Sequence, residues 1–110
     1  MSQKTVMIAL GGNALSQKNE AGTIHQQFSH TRKSLNAVMH FVRTNYNICI
    51  THGNGPQVGA ELIRNEIAGN VIPPLPLGTL VANTQGAMGY MIQQSLQNAL
   101  YNENTEREVV

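Results

Sequence analysis

Two short glycine-rich segments carry the clearest chemical signal in this chain, Gly11-Gly12-Asn13 and, further along, Gly53-Asn54-Gly55. Loops without bulky side chains let backbone N–H groups close on an anion, and Gly55-Pro56 also opens a helix whose N-terminus favours negative charge. A phosphate or a carboxylate is the natural ligand for such a pair. Either loop alone reads more readily as an ordinary tight turn. Each, however, follows a short apolar run, and two such loops at neighbouring strand ends point to binding. Neither contains Lys or Arg, so recognition rests on the backbone.

Named phosphate motifs narrow the field. There is no Gly-Lys-Ser/Thr and no protein-kinase signature, which removes the Walker-type loop and the protein kinases. The run Gly53-Asn54-Gly55-Pro56-Gln57-Val58-Gly59 is a loose variant of a dinucleotide fingerprint. A Rossmann site also needs an acid about 20 positions later at a strand end, and Pro73 to Leu80 offers neither acid nor strand pattern, so a dinucleotide-binding module ranks behind a simple anion site. His52, beside the second loop, reads as hydrogen-bonded to nearby backbone. His25, His30 and His40 lie on one helix with no carboxylate partner of zinc-site spacing, so no metal site is expected. Glu61 and Arg64 form a surface pair one helical turn apart. No side chain stands out as catalytic.

The elements that must hold the loops are legible. Lys4 to Leu10 is aliphatic on both faces and reads as a strand buried on both sides, ending at Gly11-Gly12. Thr23-Ile24-His25-Gln26 has the form of a capping box heading a helix to about Arg43 and stopping near Asn45. Its apolar stripe is Ile24, Phe28, Thr31, Leu35, Val38, Met39 and Val42. Tyr46 to Thr51 is a second strand, which completes a βαβ unit and so a parallel sheet. A helix from about Pro56 to Ala68, stopped by Gly69, presents Val58, Leu62, Ile63 and Ile67. After a Pro-rich connector from Ile72 to Gly78, a last helix runs from about Thr79 to Tyr101, with Leu80, Thr84, Ala87, Met88, Met91, Ile92, Leu96, Ala99 and Leu100 on one side.

Composition bounds the rest. The chain has 110 residues, a formal net charge of +1, 41% hydrophobic and 12% charged residues; it contains Glu but no Asp, and its polarity comes largely from Asn and Gln. Neither a disordered nor a nucleic-acid-binding chain has this profile. A single small domain fits the length, and a complete two-substrate site does not. The lone Cys49, between Ile48 and Ile50, is expected in the core. No secretory signal or membrane-spanning run is present, so the expected compartment is the cytoplasm. From Ile67 to Asn102 no residue is charged, which suits either internal packing or a homodimer interface, and a homodimer is expected.

Three segments together resemble the carbamate kinases: Ile8 to Leu15 (IALGGNAL), Thr51 to Gly59 (THGNGPQVG) and Thr84 to Tyr90 (TQGAMGY). The likeness covers nearly the whole chain and matches roughly the first third of a family member. It implies the amino-acid-kinase fold, an open, mainly parallel α/β/α sandwich with helices on both faces, here incomplete. It also implies the interconversion of ATP plus carbamate with ADP plus carbamoyl phosphate, with Mg alongside the nucleotide, as in arginine catabolism. By the resemblance, Gly11, Gly12 and Asn13 with Gly53, Asn54 and Gly55 surround carbamate and the transferred phosphoryl group, chiefly through backbone N–H groups. Acetylglutamate-kinase-like relatives carry Lys two positions before the Gly-Gly, where this chain has Ala9, as carbamate kinases do. The family's lysines, an aspartate and most of its nucleotide pocket belong to later segments. The chain is therefore expected to be an amino-terminal portion, residues 1–110, lacking the nucleotide-binding half and inactive alone. The competing reading is a non-catalytic dimerising or anion-binding remnant of that fold.

Overall fold

The computed structural model describes residues 3–110, with the side chain of Asn13 outside that description. The elements run β1 (Thr5–Leu10), α1 (Gly12–Leu15), α2 (Ile24–Arg43), β2 (Asn47–His52), α3 (Gly55–Ala68) and α4 (Leu77–Asn102). The two strands pair in parallel, Thr5 opposite Asn47 through Leu10 opposite His52, so both glycine loops leave the same end of the sheet.

Local chemistry places the helix ends. At the start of α2 the Thr23 hydroxyl accepts the Gln26 N–H (3.2 Å) and the Gln26 amide oxygen accepts the Thr23 N–H (2.9 Å), the reciprocal capping box that the sequence predicts. The same helix ends in a Schellman motif. Asn45 takes a left-handed conformation (φ 63°), its N–H bonds to Val42 O (3.1 Å), and the Tyr46 N–H reaches back to Phe41 O (3.0 Å), with the rings of Tyr46 and Phe41 packed edge-on. Helix α4 ends the same way through Asn104 (φ 55°), whose N–H bonds to Tyr101 O while Thr105 N–H bonds to Leu100 O. Gly69 stops α3 as expected, and does so in a right-handed conformation (φ −61°).

The main core is a sandwich of α2 and α4 on one face of the sheet: Leu35, Val38, Met39 and Val42 from α2 meet Ile92, Leu96 and Leu100 from α4, closed by Leu10, with Ile8, Ile48 and Ile50 against it. A smaller cluster of Leu15, Met88 and Met91, flanked by Phe28, pins α1 beneath the first glycine loop. Ser95, polar and absent from the expected stripe, is buried on α4, whereas Ala87 and Ile24 within the expected stripes are exposed.

Three expectations about burial are corrected. Strand β1 is covered on one face only. Val6, Ile8 and Leu10 turn inward, while Met7 on the other face is 69% exposed. Cys49 shares that open face and is exposed, because the strand alternation sets it opposite Met7 and no described helix lies over it. The open parallel sheet with helices is thus present in incomplete form, its second face bare. Finally, α3 buries none of its apolar stripe; Leu62, Ile63 and Ile67 are exposed, as are Val71, Ile72 and Leu75 in the connection that follows and Leu77 at the start of α4. The connector is nevertheless fixed, since Asn65 binds both the N–H and the carbonyl of Leu75 (2.8 and 2.9 Å). With α3 standing off the core, the radius of gyration is 16.2 Å, against about 13 Å for a compact domain of this length.

Candidate functional site

Parallel pairing brings the two glycine loops together. The Gly53 N–H donates to Leu10 O (3.2 Å), which ties the second loop to the strand that feeds the first. A Cβ added to Gly12 would stand 2.9 Å from Pro56 Cδ and 3.2 Å from Gln57 Oε1, so the loops approach so closely that only glycine fits at that position. Gly53 would tolerate a Cβ at 3.7 Å from the Gly12 nitrogen, and Gly11 and Gly55 face open space. The four glycines that look alike in sequence therefore divide: Gly12 is required by the protein's own packing, whereas a side chain at Gly11 or Gly55 would meet open space.

Helix α3 begins at this junction, and its start is uncapped. Asn54 occupies the N-cap position, yet its side chain makes no capping bond. Its amide instead donates to the Thr84 hydroxyl (2.9 Å) and Val81 O (3.3 Å) on α4, while the Thr84 hydroxyl itself lies within hydrogen-bond reach of Leu80 O and Val81 O (3.0 and 2.9 Å). Asn54 thus latches the loop to the core and leaves the start of α3 without a side-chain cap, its Gly55 and Gln57 N–H groups at the positive end of the helix dipole. The amide of Gln57, in that first turn, is shut off from solvent at both Oε1 and Nε2, with no hydrogen-bond partner for either.

Of the residues singled out from sequence, Gly11, Gly12, Gly53, Asn54 and Gly55 meet at this strand-end junction, and the backbone of Asn13 lies in α1 beside them. His52 Nδ1 lies 3.2 Å from Gly53 O, the backbone contact expected of it. Three participants were given no individual role by the sequence reading. Thr84 was read as one more stripe residue of the last helix, while Leu15 and Gln57 stood only within the resembling segments. The histidines hold a smaller surprise, since His30 Nε2 pairs with Glu20 Oε2 at 2.7 Å, a carboxylate partner that the helix spacing hid because Glu20 lies in the loop before α2. Among the described residues no three His, Cys or Glu side chains gather to hold a metal ion.

A cleft of about 800 Å³ runs elsewhere, along the free edge of β2, lined by Ile48, Ile50, Ile92, Leu96 and Val109 with His52 at its loop end. Its lining mixes these aliphatics with Gln3, Asn45, Asn47, Gln93, Arg107 and Glu108, and it shares only His52 with the strand-end junction. No described helix is long and apolar enough to cross a membrane.

This chain is similar to carbamate kinases in sequence and in structure. It is 42% identical over 107 residues to the carbamate kinase of Pyrococcus horikoshii, covering 96% of this chain and 34% of that protein. With the Escherichia coli (strain K12) carbamate kinase it shares 45% identity over 93 residues, 84% of this chain and 31% of the relative. The solved carbamate kinase from Giardia lamblia bound to AMP-PNP superimposes with a TM-score of 0.90 at 37% identity, covering 96% of this chain and 37% of that one. No family model matches the chain. The chain spans about a third of the length of the curated relatives it matches.

Proposed function

As a homologue of the carbamate kinases that spans about a third of their length, this chain, we propose, supplies the carbamate and phosphoryl-acceptor side of a site that interconverts ATP plus carbamate with ADP plus carbamoyl phosphate. The observation that carries the reading is the junction itself: two glycine loops held together by Gly53 N–H to Leu10 O and by the close fit of Gly12 on Pro56, at the start of an uncapped helix. Backbone N–H groups there orient an anion's oxygens, and the α3 N-terminus offsets part of their charge.

The residues present do not fit a magnesium nucleotide. Among the described residues there is no carboxylate cluster for the ion, and neither loop carries a Lys or Arg to neutralise charge on a transferring phosphoryl group. No step through that ion or nucleotide is assigned to this chain. Binding without turnover is the expected behaviour. Titration calorimetry with carbamoyl phosphate should show saturable binding, while a coupled assay of carbamoyl phosphate plus ADP should yield no ATP above background. Turnover at ordinary enzyme rates would show that the acceptor side is not all the chain contains.

A second reading, a dimerising role, is favoured by the exposed stripe from Leu62 through Ile67 to Leu77, bordering the uncharged stretch from Ile67 to Asn102. Light scattering at micromolar concentration should report a homodimer, and a well-folded monomer would remove it. A cytoplasmic location and a place in arginine catabolism follow from the same proposed activity.

A further inference from the structure

Asn54 is the only asparagine in the chain that is followed by glycine. That dipeptide is the most reactive setting for an asparagine side chain, because the next residue has no side chain to hinder its backbone nitrogen from attacking the amide carbon. In this structure the attack is blocked. At φ −148° and ψ 17° the Gly55 nitrogen lies on the far side of the Asn54 Cα–C bond from the side chain. The side-chain amide is also held away from the backbone, by donation to the Thr84 hydroxyl (2.9 Å) and Val81 O (3.3 Å) on α4. Asn54 is half-buried and Gly55 exposed, so water reaches the junction.

We propose that Asn54 is a deamidation site gated by the Thr84 latch. When the latch opens, Gly55 N loses its proton to solvent and bonds to Asn54 Cγ, the Cγ–Nδ2 bond breaks, and the nitrogen leaves as ammonia. Water then opens the five-membered imide at one of its two carbonyls and leaves a carboxylate at position 54, as aspartate or isoaspartate. The change does not reverse, and it removes the latch. A carboxylate accepts but does not donate, so it cannot bind Val81 O, and at the N-cap position it is suited to accept the first-turn N–H groups of α3. The modification stands apart from the function proposed above; one consequence rests on that function, namely that the new carboxylate takes the helix N-terminus in place of the anion.

The test follows position 54 of the intact chain by peptide mass spectrometry at mildly alkaline pH, in buffer and in unfolding urea. Asn54 should convert roughly tenfold or more slowly in buffer than in urea. Thr84→Val, which keeps the buried shape without the hydroxyl, should convert several-fold faster than the wild type in buffer and match it in urea. Asn45→Ala, which strains the far end of the sheet (φ 63°), should leave the rate in buffer near that of the wild type. Equal rates for the wild type in buffer and urea overturn the inference even if neither variant folds. So does a folded Thr84→Val chain that converts no faster than the wild type, or no faster than Asn45→Ala. Carbamoyl phosphate binding should fall in step with the converted fraction, and undiminished binding by a fully converted chain removes the consequence for the site. A fresh chain that binds no carbamoyl phosphate counts against the proposed function alone, since the conversion rates are read without any ligand.

Discussion

The two ends of the parallel sheet are built from similar materials and behave oppositely. At the amino ends of the strands the polar groups satisfy one another. Asn45 and Asn104 close Schellman motifs, Arg107 donates to Tyr46 O (2.7 Å), Gln3 donates to Asn45 O (2.7 Å), and Arg43 pairs with Glu103, whose carboxylate raises the guanidinium pKa further above its ordinary value. At the carboxyl ends Asn54 turns away from the helix it should cap, Gln57 has no partner, and Gly11 and Gly55 border open space. One end is finished by the chain itself. The other keeps an uncapped helix start and unmatched groups, the features on which the proposed anion site rests.

The largest perturbation should erase the contrast by removing the core both ends share. Leu96→Ala, in the cluster between α2 and α4, should lower stability by about 2–5 kcal/mol in urea unfolding, with both ends lost in one transition. Next, Gly12→Val should separate the ends. Its Cβ meets the Pro56 ring at 2.9 Å, so calorimetry should detect no carbamoyl phosphate binding, with a stability loss of about 1–3 kcal/mol. Asn45→Ala does the reverse. It forces a β-carbon without local hydrogen bonds into the left-handed region (φ 63°), and should cost about 1–2 kcal/mol in thermal or urea melts while leaving the carbamoyl phosphate affinity unchanged. The smallest effect belongs to Arg43→Gln at the exposed Arg43–Glu103 pair, where the melting temperature should move within error in moderate salt. A shift in ligand affinity from Asn45→Ala would break the division between the ends.

Much of the scaffold was legible because its determinants are local. The Thr23 and Gln26 box, the α2 stripe and the Pro56 start lie within a helical turn of what they control, and α2 and α4 end within two residues of the expected positions. The site was legible as a pair of loops because parallel pairing follows from strand, helix, strand. Burial was harder. An aliphatic run such as Val6 to Leu10 reads the same whether one face or two are covered, so Met7 and Cys49 were placed inside when no described element reaches them. The α3 stripe was equally misleading, because periodicity reports which residues share a face and not whether anything lies against it.

By itself, then, the sequence determined the βαβ order, the helix caps and the glycine loops at the strand ends, all set by interactions among near neighbours and by the resemblance those residues carry. Only the tertiary structure decided which glycine is sterically required, that Asn54 is spent on Thr84, and that Gln57 is left buried and unpaired. Those facts depend on groups 27 or more positions apart meeting in space, as Asn54 meets Val81 and Thr84, and no local pattern encodes the distance between them.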